Sequence, residues 1–136
     1  MVYSSPRAVG QSRNLLQFNN MISHKGLSSS EYTDYGCWCG RGSHGSEKFI
    51  DQTDLCCKIH DKCYDAYFGW FDGCWPYATY YSWVGHDNGE IECSATQQDT
   101  CDYKVCMCDK LAADCFKENR PSYSTTNVDI QSEICV

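Results

Sequence analysis

Imidazole is the one side chain whose ordinary pKa lets it take up and return a proton near neutral pH. The chain has four histidines, and His60 is set apart by its company. Cys56 and Cys63 flank it seven residues apart, so on a helix they share one face. Cys108 and Cys115 repeat that spacing around Asp109. If the two helices run antiparallel, Cys56 meets Cys115 and Cys63 meets Cys108, because the residue numbers of both pairs add to the same total. The two cross-links then stand about 10 Å apart along the axes. His60 and Asp109 fall close to that register, and Tyr64, four residues after His60, lies on a neighbouring part of the same face. An imidazole oriented by a carboxylate is half of a general-base apparatus. Every cysteine reads as one half of a disulfide and no serine presents itself as a nucleophile, so such a base would act on water. The same spacing equally suits a structural His–carboxylate pair in a small core, and the pair alone leaves both readings open.

Two stapled helices need a compartment that keeps disulfides. Twelve cysteines in 136 residues mark a disulfide scaffold rather than an ordinary core. Cys37-Trp-Cys39, Cys56-Cys57 and Cys106-Met-Cys108 do not have the paired CxxC spacing of zinc ribbons or fingers. Six disulfides in an oxidising, extracellular setting are expected, hence a secreted protein. The net charge of −7 argues against nucleic acid and against purely electrostatic docking on anionic membranes. No apolar run has the length of a membrane span, and no signal-peptide apolar region follows Met1. The chain is therefore expected to be a form without its signal. Residues 1–13 are polar and basic and read as an N-terminal extension, and 14–136 as one domain.

The elements follow from periodicity and turn chemistry. Leu15, Phe18 and Ile22 form one stripe of a helix over Asn14–Lys25, with Asn14 and Gln17 placed as a capping box and Gly26 as its stop. The Gly- and Ser-rich stretch from Ser28 to Ile50 reads as a loop. Thr53 or Asp54 caps a second helix to about Phe68, and a third runs from about Thr100 to Asn119 before Pro121. Between them, Tyr81-Ser-Trp-Val and Glu90-Ile-Glu-Cys93 around Asn88-Gly89 predict a two-stranded hairpin, a β-wing. The expected class is mainly α and disulfide-rich: an N-terminal helix, two long antiparallel stapled helices, a loop and a small β-wing.

Five blocks of sequence carry a resemblance. Tyr35-Gly-Cys-Trp-Cys-Gly-Arg-Gly42 and Asp54-Leu-Cys-Cys-Lys-Ile-His-Asp-Lys-Cys-Tyr64 resemble the calcium loop and first active-site helix of the secreted phospholipases A2. Cys106-Met-Cys-Asp-Lys-Leu-Ala-Ala-Asp-Cys-Phe116 is similar to that family's second active-site helix. Leu15-Leu-Gln-Phe18 with Met21-Ile22, and Pro76-Tyr77 with Tyr81, resemble its N-terminal helix and the stretch before its β-wing. The resemblance spans Asn14 to Cys135. It implies calcium-dependent hydrolysis of the sn-2 ester of phospholipids at a lipid surface. His60 would be the base acting on water and Asp109 its partner, with Tyr64 and Tyr81 the phenols on that aspartate. Ca²⁺ would be held by Asp61 and the carbonyls of Trp38, Gly40 and Gly42, and the Gly40 N–H would be the second oxyanion donor. Beyond the two helix staples, the resemblance implies Cys37–Cys135, Cys39–Cys57, Cys74–Cys101 and Cys93–Cys106.

Departures from the family pattern sharpen the reading. The pancreatic type has one more disulfide, from the first helix to the β-wing. Its two positions correspond to His24 and Gly85, while Cys37–Cys135 is the pancreatic-type tail link. Ser43 replaces a usual glycine beside the calcium loop, and about two residues are gained near Phe49-Ile50. Residues 1–13 are expected to be a pro-segment removed by cleavage at Arg13, which would make the chain a zymogen or a poorly activated form; the alternative is a tolerated disordered tail. Leu15, Leu16, Trp38, Arg41, Trp75 and Tyr77 are expected to ring a lipid-facing surface that prefers zwitterionic headgroups. The competing reading is a non-catalytic phospholipase-like toxin or receptor-binding protein. Retention of His60, Asp61, Asp109 and the loop glycines favours catalysis.

Overall fold

The computed structural model describes residues 13–40, 47–68, 74–94 and 100–136. Residues 1–12 of the extension, and Arg41, Gly42 and Ser43, lie outside the described residues.

Apolar periodicity, end signals and cysteine spacing together set the frame. Helix α1 spans Arg13–His24, one residue earlier than its sequence pattern suggests, and buries Leu15, Phe18, Met21 and Ile22 along one stripe. Gly26 ends it in a left-handed conformation, φ +81°, where a side chain would be strained. The capping-box role expected of Gln17 is not what its side chain does. Its amide instead takes both polar groups of the Tyr81 backbone, donating to the carbonyl and accepting from the N–H. Helix α2, Gln52–Tyr67, is capped by Asp51, whose carboxylate accepts from the Asp54 N–H at 2.7 Å. The cap therefore sits two residues before Thr53, the earlier of the two expected caps. Thr53 and Asp54 are both buried, and their side chains serve tertiary contacts instead. Helix α3 runs Cys101–Glu118 from a Thr100 cap and stops before Pro121.

α2 and α3 form the principal contact of the fold. Cys56–Cys115 and Cys63–Cys108 clamp them with Cα–Cα distances of 5.7 and 5.8 Å. Cys37–Cys135, Cys39–Cys57, Cys74–Cys101 and Cys93–Cys106 complete six disulfides, and no described cysteine is free. α1 lies against α3, and Phe18, Met21 and Ile22 join Val105, Ala112, Ala113 and Phe116 in one core. Tyr32 stacks on Phe116 at 4.1 Å, and Tyr35 on Tyr123 at 4.6 Å, which seats the connecting loop and the tail on the helices. Strands β1, Trp83–Gly85, and β2, Ile91–Cys93, pair antiparallel with Val84 opposite Glu92. The turn between them is wider than a two-residue Asn-Gly hairpin. The His86 N–H reaches the Glu90 carbonyl at 2.9 Å, and Gly89 takes φ +91°. The mainly α, disulfide-rich architecture is the one expected, and no described helix is long and apolar enough to cross a membrane.

His24 and Gly85, the positions that the resemblance sets against the pancreatic type's extra disulfide, meet in the structure. A Cβ on Gly85 would fall 2.6 Å from His24 Cε1, so the imidazole fills the space that glycine leaves. The ring packs edge-on to Trp83 at 5.8 Å, and Nε2 contacts the His86 carbonyl at 2.9 Å. A noncovalent clasp thus stands in for a staple. Gly85→Ala is expected to displace the ring and cost about 1 kcal/mol, the scale of one net hydrogen bond. His24→Ala added to that variant should cost little more, because the interaction is already lost. Guanidinium unfolding of the two single variants and the double variant measures this; full additivity would refute the clasp.

Candidate functional site

The staples bring His60 and Asp109 together at the level between them. His60 Nε2 lies 2.7 Å from Asp109 Oδ1, with His60 2% and Asp109 0% exposed. The Tyr64 hydroxyl donates to the same oxygen at 2.7 Å, and the Tyr81 hydroxyl to Oδ2 at 2.5 Å. One carboxylate therefore receives three donors in a water-poor interior, where charge-assisted hydrogen bonds are strong. Burial, and then the Asp109 charge, push both phenols far above the ordinary tyrosine range. They stay protonated donors throughout the pH range in which an imidazole works.

This arrangement sets the tautomer. An ionised carboxylate only accepts, so Nε2 carries the ring hydrogen and Nδ1 keeps its lone pair. Nδ1 is buried without a hydrogen-bond partner among the described residues. The ring stacks on Phe18 at 4.4 Å and 14°, which holds its plane. The result is an oriented imidazole whose Nδ1 has no hydrogen-bond partner among the described residues.

The loop before α2 is shaped by backbone chemistry. Tyr35 and Cys39 exchange hydrogen bonds at 3.2 and 3.1 Å, folding Tyr35–Cys39 into a tight turn. Gly40 follows with φ +80°, and a Cβ there would collide with the Thr33 carbonyl oxygen at 1.2 Å. Only glycine fits. Asp61 is 5% exposed on the neighbouring face of α2. Among the described residues, no group of three or more His, Cys, Asp or Glu side chains could hold a metal ion. A cation here would have to take main-chain oxygens together with Asp61. Hard oxygen donors on a glycine-shaped turn, beside one buried carboxylate, suit Ca²⁺ better than a softer metal. Gly42, the third expected carbonyl, lies outside the described residues.

The expected lipid-facing ring is only partly exposed. Leu16 and Trp75 stand 60% and 57% exposed, and Tyr77 is half-buried with its ring edge-on to Tyr64 at 5.0 Å. Leu15 and Trp38 correct the expectation, at 8% and 4% exposed. Leu15 belongs to the inward stripe of α1. Trp38 turns its indole inward, Nε1 donating to the Lys48 carbonyl at 2.9 Å, and the ammonium groups of Lys58 and Lys62 lie over its ring. Arg41 lies outside the described residues. Phe68, which sequence reasoning misses, makes an exposed aromatic pair with Trp75 at 4.8 Å. Its signal is its place just past the end of α2, where an apolar side chain has no core to enter. Asp54 reads in the sequence only as a possible cap, yet it is wholly buried against the loop. Its spacing of seven from Asp61, which places both on one helix face, is the available sign.

The sequence profile of the phospholipase A2 family matches residues 15–128. "Acidic phospholipase A2 2" of Craspedocephalus gramineus is 43% identical over 124 residues, covering 90% of this chain and 94% of that protein. "Basic phospholipase A2 caudoxin" of Bitis caudalis is 46% identical over 112 residues, or 82% of this chain and 85% of the relative. "Basic phospholipase A2 PL-X'" of Protobothrops flavoviridis is 43% identical over 119 residues, 85% and 78% of the two chains.

The phenols supply a pH test whose sign is fixed. Unfolded tyrosine ionises near pH 10. Above that, the unfolded chain releases protons that folded Tyr64 and Tyr81 retain, so stability is whole below about pH 10 and declines as pH rises. The expected slope is about 1.4 kcal/mol per pH unit for each such phenol. Denaturant unfolding at pH 8, 10 and 11 should show a flatter decline for Tyr81→Phe than for the wild type. Equal slopes would mean that Tyr81 is not held protonated in the folded protein.

Proposed function

The chain belongs to the phospholipase A2 family and is an enzyme of that activity; on that premise we propose how it works, with His60, Asp109 and calcium in the named roles. The observation that carries this reading is the His60 ring, fixed by Asp109 at Nε2 with Nδ1 buried and unbonded among the described residues.

His60 Nδ1 takes a proton from water as the oxygen attacks the carbonyl carbon of the sn-2 ester. Asp109 holds the ring in the tautomer that makes this possible and stabilises the imidazolium that forms. Tyr64 and Tyr81 hold Asp109. As the tetrahedral species collapses, the bond to the glycerol oxygen breaks and His60 returns its proton to that oxygen. The products are a free fatty acid and a lysophospholipid. The Gly40 N–H donates to the developing oxyanion. Ca²⁺, when bound by Asp61 and the carbonyls of Trp38, Gly40 and Gly42, would polarise the ester carbonyl and offset the oxyanion charge. Removing Asp61 would remove the one charged ligand of that set.

The lipid surface is met through Leu16, Trp75, Phe68 and Tyr77, side chains that sit comfortably at the boundary between headgroups and acyl chains. With a net charge of −7, the enzyme should work faster on phosphatidylcholine than on phosphatidylglycerol vesicles. Six disulfides fit an extracellular site of action.

Fatty-acid release from phosphatidylcholine vesicles should require millimolar Ca²⁺ and vanish with chelator. His60→Gln should lower kcat by about 10³ or more, within the usual range for loss of a general base. Trp75→Ala should weaken vesicle binding while leaving hydrolysis of a monomeric short-chain substrate unchanged. Release that persists in chelator would refute the calcium role. A wild-type chain silent on every substrate would favour the binding-protein alternative.

A further inference from the structure

Asp54, Cys57 and Asp61 form one buried stripe of α2, the second and third residues following at +3 and +7. The preceding loop lies along this stripe in matching order. The N–H groups of Cys37 and Trp38 meet Asp54, Cys39 is joined to Cys57, and Gly40 follows. Asp54 Oδ1 accepts from Trp38 N at 2.8 Å. Its Oδ2 accepts from Cys37 N at 2.8 Å and from Ile50 N at 3.1 Å. A single carboxylate thus ties down both the entry and the exit of the loop between Cys37 and Ile50. Gly36 makes the approach possible: at φ +61° it has no Cβ, and one there would stand 2.3 Å from Asp54 Cγ.

The consequence reaches the neighbouring carbonyls. A trans peptide carries its N–H and C=O on opposite sides of one rigid plane. The plane ending in the Trp38 N–H is held by Asp54. The next plane, which bears the Trp38 carbonyl, is held through the Cys39 N–H on the Tyr35 carbonyl at 3.1 Å. Both planes around Trp38 are therefore set by partners within the protein, and Gly40 is backed against Thr33.

We infer that Asp54 is the positioning residue of the calcium loop. It takes the loop's amides, so that the adjoining carbonyls are aimed before an ion arrives, and it is not itself a ligand. Both of its oxygens are already engaged by N–H groups, in keeping with the ligand role proposed above for Asp61. The inference rests on the calcium role proposed above.

The test uses the full chain. Asp54→Asn should raise the Kd for Ca²⁺, measured by calorimetry, at least ten-fold. At saturating Ca²⁺ its kcat on vesicles should return to within three-fold of wild type, because Asp54 touches no reacting atom. Gly85→Ala, destabilised in the β-wing, should bind Ca²⁺ within two-fold of wild type, which separates positioning from lost stability. Should Asp54→Asn fail to fold, amide exchange of the calcium-free wild type decides. The Cys37, Trp38 and Ile50 amides are expected to be protected at least 100-fold. Unprotected exchange at those amides, or an Asp54→Asn Kd within two-fold of wild type, overturns the inference. A wild-type chain that binds no Ca²⁺ overturns the calcium reading itself, a result that needs no variant.

Discussion

The fixed register of α2 against α3 is the constraint on which the rest of the molecule depends. Two disulfides seven residues apart on each helix permit neither sliding nor rolling, since each movement would have to be absorbed by both bonds. His60 and Asp109 extend from opposite helices, and their 2.7 Å contact inherits that precision. A hydrogen-bonded carboxylate between two freely packed helices would be exposed to every shift of the core. Between stapled helices it becomes a fixed point, and Tyr64 and Tyr81 can be aimed at it.

α2 serves two partners with two faces. Cys56, Ile59, His60 and Cys63 line the seam with α3, while Asp54, Cys57 and Asp61 line the contact with the loop. His60 and Asp61 are adjacent in sequence, yet their side chains diverge by about 100° around the axis. That divergence separates the proposed base from the proposed cation ligand while keeping both at one level of the helix. Cys56 and Cys57 divide in the same way, one bonded to α3 and the other to the loop. A doublet of cysteines and a His–Asp doublet, one turn apart, write the same two directions into the chain twice.

What was legible in the sequence is what a helical period encodes. The staples, the His60–Asp109 meeting and the nearness of Tyr64 follow from spacings of seven and four. The three helices were readable to within a few residues from their stripes and stops. What escaped was decided by partners distant in sequence. Gln17 fits a capping box, but the Tyr81 backbone offers its amide both a donor and an acceptor. Thr53 and Asp54 both read as caps, yet Asp51 takes that role, and the loop amides decide that Asp54 faces inward. Trp38 in a glycine-rich loop reads as exposed, because nothing local shows that Lys48 will supply a carbonyl for its indole. The Asn-Gly signal located the β-wing correctly but not its turn, which widens to reach from His86 to Glu90. The family resemblance supplied what spacing did not, above all the remaining disulfide partners, and it is the source of the calcium role proposed for Asp61.

The disulfides also explain how so small a chain keeps its site buried. Thr53, Asp54, His60, Asp61 and Asp109 are all 5% exposed or less, an unusual polar load for the interior of a 136-residue protein. Each buried polar group works against folding unless hydrogen-bonded, and each carboxylate more so. The long-range staples remove freedom from the unfolded chain, at about 4 kcal/mol apiece for loops of this size on the chain-entropy model. That contribution does not require apolar volume. The interior is therefore free to hold Asp109 with its three donors and Asp54 with its three amides, where a protein without cross-links would need leucine. Covalent staples carry stability so that the positions around His60 can be chosen for chemistry.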